Sequence, residues 1–404
     1  MGNCCNQTQE PPSEFEYILE HHLKMTNVSA FGSILGSNMI NLTLTTPINQ
    51  LILNTPIGPR YMKITGCILP GIDPKGEEKH CQDNYTFLAL HGSLYCMLFD
   101  GHGTDGHHVS KFCLDFVEKY VRHNHDEFLS NPKQAIMTCL EECDKELSAS
   151  SVDCDLSGST GILLFIHENG IHTGCLGDSR AVLGTLTDSM FPFNPSTNPY
   201  ARNYPVTRML KPIPLTTDQK PDNTEEIVRI RQTGGIVEKF KDSFSPNGHY
   251  RVCLPECGGG SALSMTRSLG DKMAKKFGVS SIPVYQYFSM YSSQDQYIVL
   301  ASDGVWDVMD NMEVMNFLEM WRGRCSEFAG ADFPANNKNS TIARMLAEES
   351  RYRWFAHVQA EGAVIDDISC IVIDFSKITE SLYGSMVGAE SMSRVSKGFK
   401  HLGD

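Results

Sequence analysis

Five aspartates each follow an apolar run or stand in a glycine-rich turn, and they constrain the fold of this 404-residue chain more than any other feature. They are Asp83, Asp100, Asp271, Asp303 and Asp366. A single Asp-Gly after a strand is usually an ordinary turn. Five such positions, each closing a different strand or helix, predict that several element ends converge. Carboxylate oxygens are the ligands that Mg²⁺ and Mn²⁺ prefer, so we expect a metal centre there.

Charge and composition exclude several classes of protein. The net charge is −14 and no basic stripe is present to pair with phosphates, so we expect no nucleic-acid partner. No apolar run has the length of a membrane span, and we expect no secretory signal. The 14 cysteines are scattered, many inside apolar runs, as the reduced thiols of a cytoplasmic protein are. Cys253 and Cys257 have C-x₃-C spacing without a second pair nearby, which leaves zinc there as an alternative.

Hairpin and helix patterns predict an α+β fold. Two apolar runs, residues 161–166 and 171–175, flank Asn169-Gly170, and Asn-Gly is the strongest short signal for a β-hairpin. Apolar residues recur at spacings of three and four over 109–120 and 135–147, which predicts two amphipathic helices. Neighbouring hairpins favour antiparallel sheets, whose outer faces such helices cover. We therefore expect a sandwich of two antiparallel β-sheets clad in helices.

Changes in composition divide the chain into three parts. Residues 1–55 are rich in Asn, Thr, Ser and Gln and predict an N-terminal extension, residues 56–378 predict the globular domain, and residues 379–404 predict a loose tail. Within the domain, residues 188–206 carry four prolines and predict a surface loop. Residues 218–260 hold a short helical pattern and glycine pairs, which fit either a mobile flap beside the site or a long connection.

Asp100 is the best candidate for a carboxylate that two metal ions share. Two divalent cations about 4 Å apart can generate hydroxide from water at neutral pH and neutralise phosphate oxygens. Asp100 ends a buried apolar run, and the backbone carbonyl of Gly101 can approach an ion closely. His102 then lies beside the metal, where it can act as the general acid for a leaving alkoxide. An ordinary turn histidine is the alternative.

Nine short motifs follow one another between about Lys79 and Phe375. They are Gln82-Asp83, Phe99-Asp100-Gly101-His102-Gly103, Ser157-Gly158-Ser159-Thr160, Gly177-Asp178-Ser179-Arg180, Leu215-Thr216-Thr217-Asp218-Gln219-Lys220-Pro221, Gly234-Gly235, Met265-Thr266-Arg267-Ser268-Leu269-Gly270-Asp271, Ala301-Ser302-Asp303-Gly304-Val305-Trp306-Asp307 and Asp366-Asp367-Ile368-Ser369. In this order they resemble the metal-dependent protein Ser/Thr phosphatases of the PPM (type 2C) family. The resemblance implies two antiparallel sheets between pairs of α-helices, a four-layer αββα fold.

The resemblance also implies the ligands of two Mg²⁺ or Mn²⁺ ions. Asp100 resembles the ligand that bridges both ions, and Gly101 the residue that binds through its carbonyl oxygen. Asp303 and Asp366 match ligands of the first ion. Asp83 matches the acidic position near the second.

Other matched positions have further roles in the family. Asp271 and Asp178 match residues associated with a third, weaker ion, and His102 matches the proposed general acid. Some family members have Glu where this chain has Gln82, but active members also carry Gln there. The family often places an Arg or Lys shortly before this motif to bind phosphate. Lys79 is the candidate here, with an ordinary solvated lysine as the alternative.

Three functions compete for this set of residues. The leading prediction is an active phosphatase, a monomer, that acts on phosphoserine and phosphothreonine in protein substrates. A pseudophosphatase that serves as a membrane-tethered binding module is the second, but such a protein should have lost part of the acidic set. Asp100, Asp271, Asp303 and Asp366 are all kept. A metal phosphodiesterase or nuclease is the third, which the acidic composition disfavours.

The first five residues predict attachment to a membrane. Gly2 is the acceptor position for myristate once Met1 is removed, and Cys4 and Cys5 are well placed for palmitate. One myristoyl chain gives only marginal binding, and the first basic residue is Lys24, so the cysteines must supply the second signal. We therefore expect a cytoplasmic enzyme held on the inner face of a membrane. An unmodified N-terminus is the alternative, since the usual pattern has Ser or Thr at position six.

Overall fold

The computed structural model describes ten segments of the chain. They are residues 50–55, 58–73, 75–168, 170–187, 209–240, 248–254, 262–290, 294–327, 341–358 and 364–375. The predicted surface loop 188–206, the predicted tail 379–404 and residues 1–49 of the predicted extension lie outside these segments.

The described segments form sixteen strands and eight helices. In chain order the strands are β1 (Gln50–Thr55), β2 (Gly58–Leu69), β3 (Asp83–Leu90), β4 (Ser93–His102), β5 (Gly158–Ser159), β6 (Gly161–His167), β7 (Gly170–Leu176), β8 (Arg180–Leu186), β9 (Leu210–Pro214), β10 (Ile236–Phe240), β11 (His249–Cys253), β12 (Ala262–Leu263), β13 (Leu269–Gly270), β14 (Val284–Ser289), β15 (Asp295–Ala301) and β16 (Ile368–Asp374). The helices are α1 (Gly106–His123), α2 (His125–Ser130), α3 (Pro132–Ala149), α4 (Thr224–Gln232), α5 (Lys272–Lys275), α6 (Asp303–Trp306), α7 (Asn311–Glu327) and α8 (Ile342–Val358).

Two antiparallel sheets face each other at the centre of the fold. Sheet I has the strand order β1-β2-β16-β15-β8-β9, and sheet II has the order β13-β5-β4-β6-β7-β14, with β3 paired to β4. The hairpin predicted over residues 161–175 joins β6 to β7. Strand β1 pairs with β2, so sheet I includes residues 50–55, which composition assigned to the N-terminal extension.

Strand β4 is buried on both faces. Its even-numbered residues from Leu94 to Leu98 join the core between the two sheets, together with Ile298 of sheet I. Its odd-numbered residues from Tyr95 to Phe99 lie in a second core, against α1–α3. This run is therefore apolar throughout, because a strand covered on both sides has no solvent face on which polar residues are favoured.

Helices cover the outer face of each sheet. Helices α1 and α3 pack on sheet II, while α8 packs on β2 and β16 and α7 packs on β9. The predicted four-layer αββα arrangement is therefore confirmed, and the helices expected from spacing are α1 and α3. Helix α3 begins where Pro132 follows Asn131, whose side chain accepts a hydrogen bond from the N–H of Gln134. No helix in the described segments is long and apolar enough to cross a membrane.

The predicted flap segment, residues 218–260, contributes to a third, small sheet. This sheet has the order β10-β11-β12 and lies apart from sheets I and II in its strand pairing. Helix α4 helps to form a small core with it, made of Ile230, Val252, Leu254, Ala274 and Val279. Residues 241–247 and 255–260 lie outside the described segments. Movement of this flap stays a prediction.

Candidate metal centre

Four of the five predicted aspartates gather where strands of both sheets end. Asp83 begins β3 and lies directly opposite Asp100, near the end of β4. Asp303 begins α6 after β15, and Asp366 stands two residues before β16. Burial raises the pKa of Asp100 well above its ordinary value, and the negative charges of Asp83, Asp303, Asp366 and Asp178 raise it further. These five carboxylates therefore share one electrostatic site.

Asp83 and Asp178 are buried, and their carboxylates have no hydrogen-bond partner in the described part of the chain. Each is only 1% exposed, and no described donor bonds to either oxygen of either carboxylate. Burial is the largest cause that raises the pKa of Asp83 to about 7; the charge of Asp367 adds to it, and the nearby hydroxyl groups of Ser369 and Ser302 offset part of it. Leaving a buried polar group unpaired costs about 1–3 kcal/mol, and more for a charged one. A bound cation would remove this cost.

Asp303 lies between further carboxylates and a lysine. Burial raises its pKa well above the ordinary value, the charges of Asp366, Asp307 and Asp178 add to this rise, and Lys220 opposes it. Asp307 and Lys220 lie in two of the sequence motifs, but those motifs predict no role for either residue. Their position in the motifs is the sequence signal that points to them.

Gly101 lies where the backbone is too crowded for a side chain. A Cβ atom at this position would clash with the carbonyl oxygens of Gly106 and Gln82. The N–H of Gly101 also donates to the carbonyl of Gln82 at 3.1 Å. Glycine therefore lets three backbone segments meet beside Asp100, as close approach of the backbone to an ion requires.

Asp366 and Asp367 are neighbours with different surroundings. The side chain of Asp366 is 52% exposed and accepts a hydrogen bond from Lys79 Nζ at 3.1 Å. Asp367 instead accepts the backbone N–H of Gly71 at 2.5 Å and that of Gln82 at 2.8 Å, one on each oxygen. Asp367 thus fixes the chain on either side of Lys79. Sequence reasoning gave it no role.

His102 is paired with Asp271, the fifth predicted aspartate. Its Nε2 lies 2.7 Å from Asp271 Oδ2, which also accepts a hydrogen bond from Ser268 Oγ at 2.5 Å. Burial lowers the pKa of His102, but the charge and hydrogen bond of Asp271 act in the opposite sense and leave the pKa raised. The other ring nitrogen, Nδ1, is buried and has no hydrogen-bond partner within the described segments. The imidazole ring is therefore positioned by a hydrogen bond at Nε2, and its Nδ1 remains available to a substrate.

The donors at this site suit a hard divalent cation. The gathered groups are carboxylate oxygens, and the nearby Cys81 is a poor ligand, because burial and the charges of Asp83 and Asp367 raise the pKa of its thiol. In the described segments no three acidic, histidine or cysteine side chains already stand around one point as the ligands of an ion would. Uncompensated carboxylates repel one another, so we expect them to close on the cation when it binds.

Comparisons with known proteins agree on one family. The model of the family described as "Protein phosphatase 2C" matches residues 89–351. The Arabidopsis thaliana protein named "Probable protein phosphatase 2C 72" is 31% identical over 299 residues, which cover 72% of this chain and 78% of that protein. "Probable protein phosphatase 2C 75" from Oryza sativa subsp. japonica is 29% identical over 333 residues, covering 72% of this chain and 68% of that protein.

A solved structure shows the same fold. The serine-threonine phosphatase 2C from Toxoplasma gondii superposes with a TM-score of 0.58 at 21% identity, covering 81% of this chain and 98% of that chain. At this identity the likeness concerns the fold alone.

Asp83→Asn should stabilise the protein when no metal is bound. The change removes a buried charge that no group neutralises, so at pH 8, where Asp83 is ionised, we expect unfolding in urea and chelator to require on the order of 1 kcal/mol more free energy. Mn²⁺ at a hundred times its Kd should add about 2.7 kcal/mol to the wild type and less to the variant.

Asp115→Asn is the matched control for that experiment. Asp115 is an exposed aspartate on α1, paired with Lys111 on the same helix, so its replacement should change neither quantity. An Asp83→Asn protein that is less stable than the wild type in chelator would show that Asp83 is a structural residue and not an unpaired ligand.

Proposed function

This chain belongs to the protein phosphatase 2C family of metal-dependent protein serine/threonine phosphatases, and we propose that it hydrolyses phosphoserine and phosphothreonine at a centre of two Mg²⁺ or Mn²⁺ ions. The observation that carries this proposal is the pair of buried carboxylates, Asp83 and Asp178, whose oxygens accept no hydrogen bond from any described residue. The substrates are phosphoproteins, and the enzyme acts as a monomer.

Each ligand has its own role in this proposal. Asp100 would be shared by both ions, and Gly101 would offer its carbonyl oxygen. Asp303 and Asp366 would hold the first ion, and Asp83 would hold the second. When bound, the ions supply a nucleophilic water at neutral pH and positive charge opposite the phosphate oxygens. The thiol beside the site, Cys81, would not replace that water as the nucleophile, because burial and the charge of Asp83 raise its pKa and keep it protonated.

His102 is the proposed general acid. Expulsion of a serine or threonine alkoxide is difficult without a proton donor, because the alkoxide is a strong base. Asp271 holds Nε2 of His102 and helps to keep the imidazole protonated. Nδ1 has no hydrogen-bond partner among the described residues. The proton would therefore pass from Nδ1 to the leaving oxygen.

Two further positions complete the proposed site. Lys79 would bind the substrate phosphate, and its side chain, 28% exposed, already reaches Asp366. Asp178 and Asp271 would serve a third, weaker ion. The described contacts of Asp271 run to His102 and Ser268, so this aspartate would also position the general acid.

The proposed location of the enzyme is inferred from its first residues alone. Gly2, Cys4 and Cys5 lie outside the described segments. We propose that myristate on Gly2 and palmitate on the cysteines hold a cytoplasmic enzyme on the inner face of a membrane. The absence of basic residues before Lys24 supports the need for two acyl chains.

Hydrolysis of a phosphopeptide should depend on Mg²⁺ or Mn²⁺ and on both the shared and the first-ion aspartates. We expect Asp100→Asn and Asp303→Asn each to lower kcat/KM at least about a hundredfold, since each weakens a cation that acts in the transition state. Asp115→Asn serves again as the control. Undiminished turnover in chelator would contradict the mechanism, and a protein that folds and binds metal but never turns over would favour the binding-module alternative.

His102→Ala should slow alkyl phosphates more than aryl phosphates. A general acid contributes about 10²–10⁴-fold, and an aryl leaving group needs little protonation. The comparison therefore uses a phosphoserine peptide and an aryl phosphate, with His123→Ala, an exposed change at the end of α1, as the control. Equal losses for both substrates would assign His102 to phosphate binding or to structure.

Gly2→Ala should move the protein from the membrane fraction to the soluble fraction of cells. Cys4→Ser with Cys5→Ser should leave attachment transient, because a single myristoyl chain binds weakly and reversibly. Fractionation and metabolic labelling with fatty-acid analogues measure both effects. A wild-type protein that is soluble in its own cells would refute acylation and leave the phosphatase proposal unchanged.

A further inference from the structure

Lys220 holds its ammonium group among the carboxylates at one side of the metal centre. Nζ lies 3.6 Å from Asp178 Oδ2 and 3.5 Å from Asp307 Oδ1. The lysine side chain thus brings a positive charge to carboxylates that no other described cation contacts.

Two loops are clamped together so that Lys220 faces Asp178. The side-chain oxygen of Gln219 accepts the N–H of Gly177 at 2.6 Å, and the N–H of Gln219 donates to the carbonyl of Gly177 at 2.9 Å. Arg180 donates two hydrogen bonds to Asp218, of 2.9 and 2.6 Å. These contacts lie on both sides of Asp178 and immediately before Lys220. These contacts hold the backbone at Lys220 close to Asp178, within reach of the lysine side chain.

The ammonium group neutralises Asp178 only in part. At 3.6 Å the two groups form an ion pair without a hydrogen bond, and both oxygens of Asp178 keep their lone pairs unshared. Those lone pairs remain available to a divalent cation. The positive charge of Lys220, whose side chain is 35% exposed, opposes the same cation, because like charges repel.

We propose that Lys220 is a built-in competitor for the third, weaker divalent ion, neutralising Asp178 and Asp307 when that ion is absent and weakening its binding when it is present. The inference rests on the proposed metal centre. On this proposal Lys220 makes the third site of this chain weak, because its ammonium group already balances part of the negative charge of Asp178 and Asp307. Occupancy of the third site then rises only at a high concentration of free divalent ion.

Mn²⁺ binding to the substrate-free protein tests this role directly. Equilibrium dialysis or calorimetry should resolve tight and weak classes of site in the wild type. Lys220→Met keeps the length of the side chain and removes its charge, so the Kd of the weak class should fall about tenfold or more. The Kd of the tight class should change less. Lys220→Arg, which keeps the charge, should retain weak binding.

Controls separate this inference from the proposed function. Lys111→Met removes an exposed lysine that pairs with Asp115 on α1 and should change neither class. Asp178→Asn combined with Lys220→Met should abolish the weak class. Unfolding in urea checks each variant, and Lys220→Gln replaces Lys220→Met if the latter does not fold. Unchanged or weaker binding at the weak class in a folded Lys220→Met protein overturns the role of Lys220, whereas the absence of a tight class in the wild type overturns the metal centre itself.

Discussion

Repulsion between buried carboxylates is the constraint on which the site depends. Asp83 and Asp100 stand opposite each other on neighbouring strands, and the charge of Asp83 adds to burial in raising the pKa of Asp100. A sandwich covered by helices shields these side chains from water, and this burial makes their ionised form unfavourable. The cost is useful only if a cation removes it. Stability and function are therefore linked through the same few oxygens.

The groups around the carboxylates are, by contrast, well paired. Asp367 accepts two backbone N–H groups, Arg180 bonds twice to Asp218, and Gln219 joins its loop to Gly177. These hydrogen bonds and ion pairs fix the strand ends without using the oxygens of Asp83. The arrangement separates two tasks, since one set of residues holds the backbone while another remains available to ions.

The parts of the structure that could be predicted are those that impose a local pattern of residue types on the sequence. The sandwich and its helices followed from hairpin signals and helical spacing, because burial on one or both faces dictates which residues are apolar. Asp83 and Asp100 could be predicted because each stands at the end of a strand. The pairing of His102 with Asp271 could not be found, since it joins residues 169 positions apart. The proximity of Lys220 to Asp178 also arises only when the chain folds, and no periodic pattern in the sequence predicts it.

Diffraction from crystals grown with Mn²⁺, measured at a wavelength where manganese scatters anomalously, shows whether these carboxylates hold cations. We expect two strong anomalous peaks on either side of the Asp100 carboxylate, with Asp83 and Asp303 turned towards them, and a third, weaker peak at Asp178. A map with no anomalous peak at these carboxylates would refute the metal centre.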